Sequence, residues 1–137
     1  MSIVIDASVA VKWVIDEPGS DAALALRDEE GLIAPALWLA EAANALWRIA
    51  RVGNITTDEA HESFAELRVS PVTSVAIEPH LPAALALATE MRHPVYDCIY
   101  LAVAISRNIQ VVTDDRRFAA AVGRLPHLAG RARLLGS

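Results

Sequence analysis

The side chains of this sequence that could carry out chemistry are carboxylates placed where predicted strands end or predicted helices begin. They are Asp6, Glu41, Asp97 and the adjacent pair Asp114 and Asp115. Several carboxylates that converge on one point repel one another unless a cation neutralises them, and ligand sets made only of oxygen favour Mg²⁺ or Mn²⁺ over zinc. Such a metal activates water and stabilises charge on a phosphate, so the pattern predicts hydrolysis without a catalytic serine or cysteine.

Each of these acids also has a purely structural interpretation. Asp6, Asp97 and the Asp114/Asp115 pair stand where an acidic residue caps a helix, which stabilises by about 0.5–2 kcal/mol without any active site. Glu41 lies on the polar stripe of its predicted helix, where a solvated surface is the alternative. Spacing alone leaves open whether these carboxylates converge.

Predicted strands and helices alternate along the chain, and this order decides where the acids lie. Apolar or β-branched runs predict strands over residues 2–5, 32–34, 72–77 and 109–113, with an edge strand within 128–135. Helical spacing predicts helices over residues 7–14, 21–30, 36–52, 56–68, 82–92 and 96–107, and a last one that ends at 122 after the Asp114/Asp115 pair.

This alternation predicts a three-layer α/β/α sandwich with a mainly parallel central sheet of roughly five strands. We expect a single domain over residues 1–137. Ligands of such sheets bind beyond the carboxyl ends of the strands, where the strand order reverses. Asp6 and the Asp114/Asp115 pair each follow a predicted strand, so this edge is the expected site.

Composition excludes several classes of protein. Of the 137 residues 54% are hydrophobic, which excludes intrinsic disorder as the main state. No apolar run approaches the roughly 18–20 residues of a membrane span, so we expect a cytoplasmic protein with no membrane contact. The lone Cys98 excludes a disulfide scaffold and is interpreted as a small buried hydrophobe rather than a nucleophile.

The net charge of −5 argues, taken alone, against a nucleic-acid partner, but the charge is unevenly distributed. Residues 1–91 hold 14 acids and five bases, whereas residues 92–137 hold three acids and seven bases. All bases except Lys12 are arginines, whose planar guanidinium suits phosphate contacts, although a genome of high GC content enriches arginine as well.

Four segments, in order, resemble the PIN domain and more narrowly the VapC toxins of type II toxin–antitoxin modules. They are VIDAS at 4–8, EAANAL at 41–46, YDCIYLA at 96–102 and VTDDRRF at 112–118. One segment alone would be a weak signal, whereas four in family order across nearly the whole chain are fairly specific.

The resemblance implies a Mg²⁺-dependent endoribonuclease, with Mn²⁺ as an alternative ion. By position in the motifs, Asp6 and Asp97 would be the direct metal ligands. Glu41 and Asp115 would complete the catalytic set through bound water or by positioning the attacking water. The residues expected to support this pocket are Ser8, Asn44, Thr113 and Asp114, where Asp114 fills the variable place of the Thr-x-Asp-Arg pattern.

The resemblance also implies partners. Lys12, Arg116 and Arg117 lie near the motifs and could contact RNA phosphates, although a solvated surface is an equally ordinary role for them. Family members form homodimers and are silenced by a small VapB-type antitoxin whose C-terminal segment reaches the pocket. We therefore expect an RNA substrate, an antitoxin and a second copy of the chain.

Other functions remain as alternatives. An aspartyl phosphatase would need a second Asp at position 8, which is Ser8, and a phospho-receiver would need a late lysine, whereas the only lysine is Lys12. A catalytically inactive PIN-like module that binds RNA or protein, and a solitary PIN nuclease of RNA processing, stay open. A DNA-directed nuclease also stays open, since no residue is seen to recognise the 2′-hydroxyl.

Overall fold

The carboxyl ends of five strands lie along one edge of a single parallel sheet. A computed structural model describes residues 1–29 and 31–137. The strand order is β3-β2-β1-β4-β5, and every pairing is parallel. The strands are β1 (Ser2–Ile5), β2 (Gly31–Pro35), β3 (Val72–Val75), β4 (Val111–Thr113) and β5 (Ala132–Leu134).

Within residues 1–29 and 31–137, seven helices flank this sheet, which confirms the predicted α/β/α architecture. They are α1 (Ala7–Ala10), α2 (Ser20–Glu29), α3 (Trp38–Arg51), α4 (Thr57–Arg68), α5 (Leu81–Met91), α6 (Val95–Arg107) and α7 (Arg116–Gly123). Short 3₁₀ turns cover Val11–Trp13, Glu78–His80 and Pro126–Leu128. Over the described ranges, no helix combines the length and apolar character needed to cross a bilayer.

The predicted elements differ from the observed ones mainly at their ends. The helix predicted over 7–14 is a single α-turn followed by the 3₁₀ turn at Val11–Trp13, because a valine-rich run favours helix weakly. The strand predicted over 72–77 ends at Val75, and the edge strand predicted in the tail is β5. The helix predicted over 21–30 is α2, and Glu30 lies outside the described residues.

The core is centred on β1, β4 and α6. Val4, Ile5, Val111 and Val112 are fully buried, as expected for parallel strands covered by helices on both faces. The α6 segment from 98 to 104 is also buried throughout, so this helix lies in the interior. The central strands therefore hold the carboxyl end of β1 in a fixed position.

Two of the helices that the structure describes are followed directly by a non-glycine residue with left-handed backbone. Asn108, with φ of 55°, follows α6, and Arg92, with φ of 53°, follows α5. Asparagine is an ordinary residue at such an end, whereas arginine is uncommon there because its Cβ crowds the backbone.

Truncation of Ile5 tests the importance of the central strand. We expect Ile5→Ala to lower the free energy of unfolding by about 3 kcal/mol, because its fully buried side chain leaves a cavity. Val69→Ala, at a position 84% exposed, is the control and should change stability by less than about 0.5 kcal/mol. Urea unfolding followed by circular dichroism measures the stability of both variants. Equal losses of unfolding free energy in the two variants would contradict this account of the core.

Candidate active site

Asp6 lies where the carboxyl ends of β1 and β4 meet. Ile5 pairs with Val112, and the Asp6 amide donates to the Val112 carbonyl at 3.0 Å. The Asp6 side chain is only 7% exposed, and its Oδ2 accepts a hydrogen bond of 2.7 Å from the Thr113 hydroxyl. The parallel pairing and this hydrogen bond together hold the carboxylate at the sheet edge.

Two helices bring further carboxylates to Asp6. Glu41 is in the first turn of α3 and Asp97 in the first turn of α6. The hydroxyl of Tyr100, one turn after Asp97, donates to Glu41 Oε1 at 2.6 Å. This contact crosses between the two helices and orients the carboxylate of Glu41.

The three carboxylates influence one another electrostatically. Burial raises the pKa of Asp6 to about 6, the Thr113 hydrogen bond opposes this, and the charges of Asp97 and Glu41 raise it further. Burial also raises the pKa of Glu41, where the Tyr100 hydrogen bond acts in the opposite direction and the charge of Asp97 adds to the rise. The site therefore concentrates negative charge that no basic side chain offsets at Asp6 or Glu41.

Sequence reasoning missed His93 and Tyr100 as parts of this site. His93 Nε2 lies 2.6 Å from Asp97 Oδ2, and its ring packs against Phe118 with centroids 5.4 Å apart. The spacing of four between His93 and Asp97 was a usable signal, but Pro94 marked that segment as a chain break. Tyr100 carried no signal, because its neighbours make it resemble an ordinary core residue.

The helix-cap interpretation is right for Asp115, whereas Asp6 occupies the N-cap position of α1 without a regular capping hydrogen bond. Asp115 Oδ1 accepts from the amides of Arg117 at 2.9 Å and Phe118 at 3.2 Å, so it caps α7. Asp6 precedes α1 but its carboxylate makes no capping hydrogen bond. Asp97 lies inside the first turn of α6 rather than at its cap.

Lys12 is placed differently from the expected RNA contact. Its side chain is 6% exposed, and its ammonium contacts Glu17 at 3.1 Å, the Pro18 carbonyl at 2.6 Å and Asp114 at 3.2 Å. These three partners match the three N–H donors of an ammonium, which leaves none for a phosphate. Lys12 instead ties the segment after α1 to the loop after β4, and Asp114 belongs to this ion pair.

The supporting residues predicted for the pocket divide into two groups. Ser8 Oγ accepts from the Asp114 amide at 3.1 Å, and Thr113 Oγ1 accepts from the Asp115 amide at 3.0 Å, so both hold the loop after β4. Asn44 is exposed on α3, in a cleft of about 450 Å³ that it shares with Glu41. Arg116 and Arg117, the remaining predicted contacts, are exposed at the start of α7.

The carboxylates fit a hydrated divalent cation. Among the described side chains, no group of three or more His, Cys, Asp or Glu is compact enough to hold a metal ion unaided. Mg²⁺ needs no such group, because it keeps several waters and is bound through one or two carboxylates. Burial and the nearby charge of Asp97 raise the pKa of both Asp6 and Glu41, as expected of oxygen ligands gathered for a cation.

Comparison with known proteins assigns this architecture to a family. The family model described as "PIN domain" matches residues 3–123, so the chain belongs to the PIN-domain family, as the resemblance in the sequence indicated. The chain is 34% identical over 127 residues to "Ribonuclease VapC3" of Pyrobaculum aerophilum, covering 87% of this chain and 93% of that protein.

Two further likenesses support this assignment. The chain is 35% identical over 95 residues to "Exonuclease VapC9" of the same organism, covering 69% of this chain and 70% of that protein. Its fold is similar to the crystal structure of PAE2754 from Pyrobaculum aerophilum, with a TM-score of 0.73 and 26% identity, over 98% of this chain and 84% of the other. Within the PIN family, the relatives are thus VapC proteins.

Removal of the Asp6 charge is expected to stabilise the metal-free protein. The pKa of Asp6 is about 6 when folded and about 3.9 when unfolded, so the folded chain binds more protons between these values and loses stability as the pH rises through them. Asp6→Asn should therefore raise the free energy of unfolding by roughly 1–3 kcal/mol at pH 7 and by little below about pH 4.

Denaturant unfolding in EDTA at several pH values measures this difference. Asp16→Asn, at an exposed position, is the control and should leave the pH profile of stability unchanged. An Asp6→Asn variant less stable than the control variant at pH 7 would show that Asp6 is a structural residue instead.

Proposed function

We propose that this chain is a Mg²⁺-dependent endoribonuclease that acts as the toxin of a type II toxin–antitoxin module. The observation that carries the proposal is the buried Asp6 carboxylate, which lies within electrostatic reach of Glu41 and Asp97 at the carboxyl edge of the sheet. A stable fold gains nothing from placing Asp6 and Glu41 near Asp97 with no basic side chain beside either of the first two, so this arrangement supports a role for a bound cation.

Asp6 and Asp97 would hold Mg²⁺ directly, with Mn²⁺ as a substitute. When bound, the metal supplies an activated water and stabilises charge on the phosphate. His93 restrains Asp97 through Oδ2, and Thr113 restrains Asp6 through Oδ2, so each carboxylate keeps its Oδ1 for other contacts.

Glu41 and Asp115 complete the proposed catalytic set. Tyr100 occupies Oε1 of Glu41, which leaves Oε2 to position the attacking water and accept its proton, and the raised pKa of Glu41 favours that transfer. Water then adds to phosphorus and one ester P–O bond breaks. Asp115 uses Oδ1 as a helix cap, so only its Oδ2 is available to a water molecule in the pocket.

We also propose a VapB-type antitoxin and a second copy of this chain as partners, all acting in the cytoplasm, where the RNA substrate is. The resemblance of the four motifs to VapC toxins of toxin–antitoxin modules supports the antitoxin. Exposed apolar clefts support protein partners: one between α3 and α4 includes Leu46, Phe64 and the 56% exposed Trp47. A second, between α5 and α6, includes Leu87 and the exposed Ile105.

The relative named "Exonuclease VapC9" supports a second candidate, cleavage from a strand end. The same carboxylates would serve either mode, because the chemistry at the phosphate is the same. A circular RNA separates the two candidates, since it offers no end and is cut only by an endonuclease.

Substitution of the proposed metal ligands tests the function. Asp6→Asn and Asp97→Asn should each lower Mg²⁺-dependent cleavage of RNA by at least about 100-fold, because each loses a charged ligand. Cleavage of linear and circular RNA is followed on gels with Mg²⁺, with Mn²⁺ and with EDTA. Asp16→Asn should cleave as the unaltered protein does.

Undiminished cleavage by both ligand variants, or full cleavage in EDTA, would contradict the metal assignment. Cleavage of linear RNA but not circular RNA would favour the exonuclease. Equal cleavage of DNA and RNA would overturn the choice of RNA.

Tyr100→Phe tests whether the hydroxyl positions Glu41. We expect about a tenfold fall in kcat, and the acidic limb of the pH–rate profile should move to higher pH, because the lost hydrogen bond holds the pKa of Glu41 down. Tyr96→Phe, at a position 65% exposed, is the matched control. The same pH–rate profile in the unaltered protein and in Tyr100→Phe would show that Tyr100 acts only through packing.

A further inference from the structure

A basic cleft lies beside the acidic site, between the end of α5 and the outer face of α7. It has a volume of about 400 Å³, and the charged side chains that line it are Arg92, Arg116, Arg117 and Arg124, together with His93. We call it the arginine cleft. None of its lining residues is acidic.

The four guanidinium groups are available to a ligand. All four arginines are exposed, and among the side chains that the structure describes none of them lies within 4 Å of a carboxylate oxygen. Like charges collected in one concave surface repel one another, and a bound anion relieves that repulsion. The cleft therefore has the chemistry of an anion site.

Arg92 lines this cleft in a strained backbone conformation. Its φ of 53° lies in the left-handed region, where glycine or asparagine is ordinary and arginine is not. Strained backbone that persists is commonly found at functional sites. The strained conformation therefore points to a function of the Arg92 side chain rather than to a role in ending α5.

The arginine cleft is connected directly to the acidic site. His93 is in the cleft and its Nε2 contacts Asp97 Oδ2 at 2.6 Å. Arg116 and Arg117 follow Asp115 in the chain and form the first turn of α7. The arginine cleft and the acidic site are thus linked by His93, which lines the cleft and contacts Asp97.

We propose that the arginine cleft binds a backbone phosphate of single-stranded RNA next to the phosphate that is cleaved, which rests on the proposed ribonuclease function. Guanidinium groups bind phosphate oxygens in bidentate pairs. A volume of about 400 Å³ is at the low end for ligand sites and suits one nucleotide rather than a duplex. The amides of Arg117 and Phe118 already bind Asp115, so side chains, not the α7 N-terminus, would hold the anion.

Binding of a fluorescent octauridylate to the metal-free protein tests the cleft. Fluorescence anisotropy in EDTA compares the unaltered chain with the double variant Arg92→Gly/Arg124→Ala. We expect about tenfold weaker binding and a plot of log affinity against log salt that is shallower by about 0.7, the value for one phosphate contact on a single strand. Glycine suits the left-handed position, so this variant should fold at least as stably at residue 92.

The matched control is Arg68→Ala/Arg107→Ala, which removes the same charge from exposed positions outside the cleft. Its binding should change by less than about twofold. Octadeoxyuridylate should show the same dependence on Arg92 and Arg124, since the contact is to phosphate. Inorganic phosphate should compete with the octauridylate more weakly for the double variant than for the unaltered chain.

Three results would overturn the proposal. They are no binding of the octauridylate by the unaltered chain, equal affinity of the unaltered chain and the cleft variant for it, or a loss of affinity in the control variant as large as in the cleft variant. Cleavage measured separately distinguishes the two proposals. If RNA binding depends on the arginines but no RNA is cleaved, the arginine cleft is supported and the ribonuclease function is rejected. If RNA is cleaved but its binding does not depend on the arginines, the ribonuclease function is supported and the cleft proposal is rejected.

Discussion

The site depends on holding three carboxylates together against their mutual repulsion. Each is held by one side-chain partner: Thr113 and Tyr100, both distant in the sequence, donate to Asp6 and Glu41, and His93, four residues away, contacts Asp97. None of these partners is an arginine or lysine that would neutralise the site permanently. The arrangement keeps the negative charge available, at a cost in stability that the buried strands β1 and β4 and the helix α6 offset.

The loop after β4 contacts several elements at the carboxyl edge of the sheet. Thr113 bonds Asp6, Asp114 pairs with Lys12, and Asp115 caps α7. Three successive residues thus join β1, the segment after α1 and the start of α7. A change in any one of these contacts would move the others, because they share the same short backbone.

Acidic and basic side chains are grouped at different places in the structure rather than spread evenly. The total of −5 seemed unfavourable for a nucleic-acid ligand, but three of the acids converge on the candidate active site and two pair with Lys12. Four of the seven arginines in residues 92–137 line the adjacent arginine cleft. Negative charge where a cation would bind, next to positive charge where a phosphate would bind, is an arrangement suited to cutting a polyanion.

The sequence alone was sufficient for the architecture and for the local position of most acids. Strand and helix patterns depend on near neighbours, so β1, β4 and the place of Asp6 after a strand could all be predicted. Only the tertiary structure decided which acids lie together, that Lys12 is buried, and that Tyr100 and His93 belong to the site. The Tyr100–Glu41 and Thr113–Asp6 contacts join residues 59 and 107 positions apart, and packing, not local preference, determines such pairs.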